Sequence, residues 1–371
     1  MGFLLNEEQT MLRDSAQDFL SEQSPVALQR RLRDEAAPLG YSQELWQQAV
    51  ELGWPAAALP EAADGLAMGY AGLGAIFELM GRHLAALPLL SHSVLAAELL
   101  LQLQDEAQRA QWLPLLAGGD QRLALALDES RLHWPQPLRT RARRQGGGWL
   151  LDGEKWFVID GVGARWLLVA AQPEGEDQAA LFIVDAQAAG VTAQPLHLAD
   201  SRNHARVQLQ AVAAERLALA DAGAAIERAL DCARACLAAE AHGLLREVLE
   251  RTVAYLKERV QFDVPIGSFQ ALQHRVARLY TEVELLDSCV RAALAAVDDN
   301  SAELPLLASL AKARAGDLCE KLLNEAVQLH GGIGVTDEFD LGLFLKRARV
   351  VQQLLGDGPY HRQRYAGLKG V

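Results

Sequence analysis

Two stretches decide the fold: Arg259-Val260-Gln261-Phe262-Asp263-Val264-Pro265-Ile266-Gly267-Ser268-Phe269-Gln270, and Gln328-Leu329-His330-Gly331-Gly332-Ile333-Gly334. In the first, an arginine stands at the end of a helical pattern and Phe262 follows. Pro265-Ile266-Gly267 then breaks the periodicity before Phe269-Gln270 opens a new helix. In the second, adjacent glycines close another long helical pattern. A guanidinium suits a phosphate, a carboxamide suits a polar ring edge, and glycines let backbone approach a ligand closely. Taken singly, Arg259 reads as a solvated charge, Gln270 as an ordinary helix start, and Gly331-Gly332 as a helix C-cap. Their combination, on helices in this order, points to a ligand site.

Working outward, three sections differ in periodicity. From Asn6 to about Leu116 apolar residues recur at helical spacing, as in Leu12, Ala16, Phe19 and Leu20, with turn signals at Pro55, Pro60 and Pro88. From Leu123 to about Leu217 the runs shorten to strand length: Trp149-Leu150-Leu151, Trp156-Phe157-Val158-Ile159, Trp166-Leu167-Leu168-Val169, Leu181-Phe182-Ile183-Val184 and Val207-Gln208-Leu209. From about Asp221 the chain is helical again, with patterns near Ala224 to Val260, Phe269 to Val297, Leu304 to Leu329 and Leu341 to Leu355. The expected architecture is α+β and multi-domain. An N-terminal helical domain spans 1–122, a middle antiparallel β-barrel or sandwich 123–217, and a C-terminal four-helix bundle 218–371.

Composition narrows the function. The chain has 371 residues, half of them hydrophobic and 22% charged, so large cores are available and disorder is not expected. A net charge of −13 argues against a nucleic-acid surface, and the cluster Arg139, Arg141, Arg143, Arg144 reads as a solvated edge. Cys232, Cys236, Cys289 and Cys319 fall in helical patterns, outside any short-spaced cluster with histidines, so no metal site is expected. They read as core residues of a reduced, cytoplasmic protein. Glu7 and Glu8 leave no apolar core for a signal peptide, and no apolar run reaches the length of a bilayer span.

The two opening stretches resemble the helix junction and the Gln-x-x-Gly-Gly turn of the acyl-CoA dehydrogenases, in particular bacterial members with a non-standard position for the catalytic base. The order of helical lobe, barrel and bundle resembles that family along the whole chain. So do Glu51-Leu52-Gly53-Trp54 with Leu59-Pro60-Glu61, Glu78-Leu79-Met80-Gly81-Arg82, Asp152-Gly153-Glu154-Lys155, and Leu341 to Arg347. The resemblance implies FAD as cofactor and an acyl-CoA thioester as substrate. A carboxylate removes the α proton, the β hydride goes to the flavin, and the product is the 2,3-enoyl thioester. It also implies an electron-transferring flavoprotein as acceptor. Assembly is expected as a homo-oligomer or as a heteromer with a related chain, because two chains build each FAD site.

Carried onto this sequence, the cofactor residues are Arg259, Phe262, Gln270, Gln328, Gly331 and Gly332 for the adenosine half. Phe157 and Asp128 stand for the flavin half, at positions where the family places Trp-Ile-Thr and Thr-Glu-Pro. Counting from the glycine turn puts Leu355 where the commoner family base stands, and Ala233 occupies the alternative position on the first bundle helix. Neither side chain takes a proton. Glu240, seven residues beyond Ala233 and on nearly the same helical face, is the expected base if its surroundings are apolar enough to raise its pKa, with Asp357 next. The other reading of Glu240 is a structural, ion-paired glutamate. With the adenosine half intact and the flavin half altered, the alternative function is a non-catalytic or half-site subunit that completes a partner's FAD site.

Overall fold

A computed structural model describes residues 4–131, 133, 134 and 137–371. The chain opens with helices α1 (Glu7–Gln23), α2 (Val26–Asp34), α3 (Gln43–Glu51), α4 (Gly69–His83), α5 (Ala97–Leu101), α6 (Glu106–Trp112) and α7 (Pro114–Gly118). Strands follow: β1 (Leu123–Ala126), β2 (Arg141–Gln145), β3 (Gly148–Ile159), β4 (Trp166–Pro173), β5 (Ala180–Asp185), β6 (Val191–Pro195) and β7 (His204–Arg216). Then come α8 (Ala222–Glu258), the short ribbon β8 (Val260–Gln261) with β9 (Val264–Pro265), α9 (Gln270–Asp298), α10 (Leu304–His330), α11 (Leu341–Gln353) and α12 (Gly358–Lys369). The helices begin where local chemistry satisfies their free N–H groups. Asn6, for instance, accepts from Gln9 N–H while the Gln9 side chain returns to Asn6, and Glu7 and Glu8 sit favourably at the positive end of the helix dipole.

By contacts the chain forms two compact units, one of Met1–Arg31, Tyr70–Ala85 and Arg234–Val371, the other of Leu32–Gly69 and Ala86–Ala233. The second unit holds the barrel. β4, β2, β3, β7 and β5 pair in that order and β5 returns to β4, closing the ring, with β1 added beside β4 and β6 beside β7. The pairings are antiparallel except β1 with β4 and β2 with β4. The antiparallel barrel expected from the sequence thus includes two parallel pairings. A hairpin reverses the chain between β2 and β3, so a strand that returns on the far edge of β2 runs in the direction of β2. Leu151, Leu167, Val169, Phe182, Val184, Val207 and Leu209 fill the interior, each full burial worth about 1.5–3 kcal/mol.

The first unit holds α1, α4 from Tyr70, α8 from Arg234, and α9 to α12. The last helix was not legible as periodicity because it carries no apolar stripe: His361 is its buried residue among those described. Helices α4 and α8 meet backbone to backbone. A Cβ on Gly243 would lie 1.8 Å from the Glu78 carbonyl oxygen, and one on Gly81 would lie 2.0 Å from that of Glu240, so only glycine permits this crossing. Among the described residues no helix is long and apolar enough to cross a membrane, and the four cysteines are free thiols.

Candidate functional site

At one end of the helical unit the two deciding stretches come together. The Tyr255 hydroxyl donates to the His330 carbonyl (3.2 Å) and the two rings lie 4.5 Å apart, which sets the end of α8 beside the end of α10. Ile266 N–H donates to the Arg259 carbonyl (2.8 Å), which folds the ribbon back so that α9 starts at the same place. Arg259, Gln270 and Gln328 are all exposed, and none of their side chains is bonded to another described residue. Phe262 is 85% exposed, with φ of 55°, and meets Phe269 edge-on at 6.1 Å. The Phe262 ring is thus held out in solvent on a left-handed backbone. Gly331 has φ of 64° and needs to be glycine for that reason. Gly332 has no such need within the chain, since a Cβ there meets nothing within 4 Å. A free guanidinium, two free carboxamides, an exposed ring and open glycine backbone fit a pyrophosphate and adenosine.

The expected bases are deployed differently. Glu240 is buried and held by both arms of a guanidinium: Arg347 Nε donates to Oε1 (2.8 Å) and Nη2 to Oε2 (2.7 Å). The apolar surroundings expected for Glu240 are thereby corrected. The face assigned by periodicity is buried, but α11 brings a buried arginine onto it, and a bidentate partner stabilises the carboxylate as the anion. Asp357 caps α12, with Oδ1 accepting from Tyr360 N–H (2.9 Å). Leu355, two residues before Asp357, is buried, with φ of 59°.

The turn carrying Leu355 is clamped by buried donors that sequence reading missed. Lys312 Nζ donates to the carbonyls of Gln352 (3.2 Å) and Gly356 (2.9 Å), and Arg234 Nε donates to that of Leu355 (3.1 Å). His361 Nε2 lies 3.0 Å from the same Leu355 oxygen, so that nitrogen carries the proton. Burial pushes Lys312 down to about 7. Burial, then Arg234 and Lys312, push His361 well below the ordinary histidine value, so it stays neutral. The signal for Arg234 was available: it sits four residues after the buried Leu230, on the inward face of α8.

In the barrel unit a groove of about 680 Å³ is lined by Glu129, Arg131, Arg139, Glu154, Trp156 and Phe157 among others. Between Lys155 and Val158 the register of β3 against β7 slips by one residue, and Phe157, at φ of 54°, sits in that bulge. The bulge turns Trp156 and Phe157 onto the groove wall. Trp156 N–H donates to the Asp128 carbonyl (2.7 Å). The Asp128 carboxylate is not free to meet a flavin as expected. It accepts from Trp134 N–H (2.6 Å) and lies 3.2 Å from His133 Nδ1, because a short acidic side chain readily bonds its own loop.

Beneath the groove, Lys155 and Glu129 form a buried ion pair at 2.8 Å. Alternation in β3 placed Lys155 on the inward face of Leu151, so this too was readable. Burial alone would raise the Glu129 pKa, but Lys155, with N–H donation from Thr140 and Arg139, brings it down to about 2. The folded value is thus below the unfolded one near 4.5. The stabilisation is complete above pH 4.5 and is lost as pH falls from there toward 2. Urea unfolding across that window should show wild type losing stability more steeply than Glu129→Gln. Parallel profiles would mean the pair is not formed in solution.

Family comparison bears on these residues. Residues 6–120, 135–212 and 221–366 match the profiles described as acyl-CoA dehydrogenase N-terminal, middle and C-terminal domains. The chain is 30% identical over 370 residues to the acyl-CoA dehydrogenase FadE12 of Mycobacterium tuberculosis (strain ATCC 25618 / H37Rv), covering 95% of this chain and 93% of that protein. It is 31% identical to a chain from a variant of the Tcur3481-Tcur3483 steroid ACAD, at TM-score 0.87 and 99% coverage of both. Against a chain of the ChsE4-ChsE5 complex from Mycobacterium tuberculosis the identity is 25% and the TM-score 0.90, covering 100% of this chain and 99% of that one.

Proposed function

The chain belongs to the acyl-CoA dehydrogenase family, and from that premise we propose that it serves the FAD-dependent α,β-dehydrogenation of an acyl-CoA thioester to the 2,3-enoyl thioester. The observation that carries this reading is the end of the bundle, where Arg259, Gln270 and Gln328 present unused polar groups beside Phe262 and the open backbone of Gly331 and Gly332. Arg259 would hold the pyrophosphate, the two carboxamides would bond polar edges of the cofactor, and Gly332 would leave room for its close approach. Phe157, on the barrel groove, offers a face for stacking on a planar ring. When bound, FAD supplies the hydride acceptor. An electron-transferring flavoprotein takes the electrons onward, and the free thiols favour a reducing, cytoplasmic setting.

The base separates two forms of this function. In one, Glu240 takes the α proton within this chain, with Asp357 as the next carboxylate. In the other, this chain lends its intact adenosine half to a related chain that carries the base. One observation favours the second. Both Glu240 oxygens are occupied by Arg347, and Asp357 is spent as a helix cap, so neither carboxylate is available as an unpaired base. Two of the structurally similar proteins are themselves named as pairs of chains, Tcur3481-Tcur3483 and ChsE4-ChsE5.

The test is to purify the chain alone and co-expressed with a related chain that keeps a glutamate base, then to count flavin and follow dye reduction with a panel of acyl-CoA thioesters. Shared sites predict an oligomer with one flavin per pair of unlike chains, active only as the pair. Full flavin occupancy and turnover by this chain alone would establish the self-contained form, and a colourless monomer unchanged by added FAD would remove both.

Arg259→Ala should release FAD about 10- to 100-fold more readily, since a charge-assisted hydrogen bond contributes roughly 1.5–3 kcal/mol. Glu240→Gln should retain it. Equal retention by both variants, measured by flavin absorbance after dialysis, would reduce Arg259 to a surface charge.

A further inference from the structure

Three side chains far apart in sequence meet in the helical unit: Glu78 on α4, His242 on α8 and Asp287 on α9. Their ligand atoms all lie within 4.8 Å of one another. His242 is 0% exposed, and neither ring nitrogen has a hydrogen-bond partner among the described residues. Its Nδ1 stands 3.5 Å from Oε1 of Glu78 and 3.9 Å from Oδ1 of Asp287. Those separations are too long for direct N–H···O bonds, which run to about 3.2 Å. They suit ligands of one small cation, because tetrahedral bonds of about 2.0–2.2 Å place neighbouring ligand atoms roughly 3.4 Å apart.

We propose that Glu78, His242 and Asp287 bind a divalent transition-metal ion of the zinc class and so tie α4, α8 and α9 together. One imidazole with two carboxylates suits such an ion better than an all-oxygen cation such as calcium. Two features favour binding, with the carboxylates drawn slightly inward onto the ion. The backbone contact at Gly243 fixes α4 against α8 one residue from His242. Glu78 and Asp287 keep side-chain exposures of 28% and 19%, which gives the ion an entry and a place for water ligands.

The arginines facing the site are all paired with carboxylates, one of them with a ligand. Arg291 holds Oδ2 of Asp287 (2.7 Å), leaving Oδ1 for the ion; Arg246 pairs with Glu284, and Arg82 with Glu247 and Glu250.

The experiment is Zn²⁺ titration of the dialysed full-length protein against a competing chelator, with metal content by mass spectrometry and Tm in Zn²⁺ and in EDTA. The expected result is one Zn²⁺ per chain, a Tm raised by roughly 3 °C or more, and affinity at least about tenfold weaker in His242→Leu and in Asp287→Asn. Asp287 is partly exposed, so its variant carries the test if the histidine variant does not fold. Absence of saturable binding, or unchanged affinity in Asp287→Asn, overturns the proposal. So does a Tm that follows pH near 6 and ignores metal, which would make His242 a protonated bridge between the two carboxylates.

Discussion

Leu355→Glu should raise acyl-CoA-dependent flavin reduction by this chain at least about 10²-fold over wild type, the lower end of what a positioned general base contributes. The position is prepared for it. The Leu355 carbonyl is held by Arg234 and His361 and the next one, of Gly356, by Lys312, and the left-handed backbone there is already borne by a leucine. A glutamate therefore inherits a fixed turn without new backbone strain. Glu240→Gln is the companion measurement. If Glu240 is the base, that variant loses about 10²–10⁴ in rate with fold and flavin retained; if a partner chain supplies the base, the paired enzyme keeps its activity in Glu240→Gln. Stopped-flow reduction of FAD-loaded protein, alone and paired, reads both variants. A Leu355→Glu chain that holds FAD and still fails to reduce it would show that the missing carboxylate is not what silences the chain.

Arg347→Met should destabilise the helical unit by about 3–5 kcal/mol, because it strands the Glu240 carboxylate in the interior without its partner. The double variant Arg347→Met with Glu240→Leu should recover most of that loss, since well-packed apolar residues often replace a buried pair at little cost. Urea unfolding of the wild type, both single variants and the double variant closes the cycle. A coupling below about 0.5 kcal/mol would mean that the bidentate pair contributes nothing beyond packing, and would return Glu240 to the unencumbered carboxylate that its helical face suggested.

What the sequence determined by itself was whatever rests on local periodicity and on unusual residues at fixed spacing. The 3.6-residue rhythm marked α8 to α11, the strand-length runs between Trp149 and Leu209 marked the barrel, and Arg259, Phe262, Gln328 and Gly331-Gly332 marked two segments whose helix ends the structure sets side by side. The family followed from the same residues in order. The tertiary structure alone decided what each buried polar group does. Glu240 looked like a free acid because a helical wheel shows the face a residue occupies, not the residue that α11 brings against it 107 positions later. Asp357 looked like a spare carboxylate because α12 has no apolar stripe to announce the helix it caps. The Lys312 and Arg234 clamps and the Glu78–His242–Asp287 cluster were invisible for the same reason: each joins groups from separate helices. Burial makes such partners obligatory, but nothing in a linear sequence says which ones will meet.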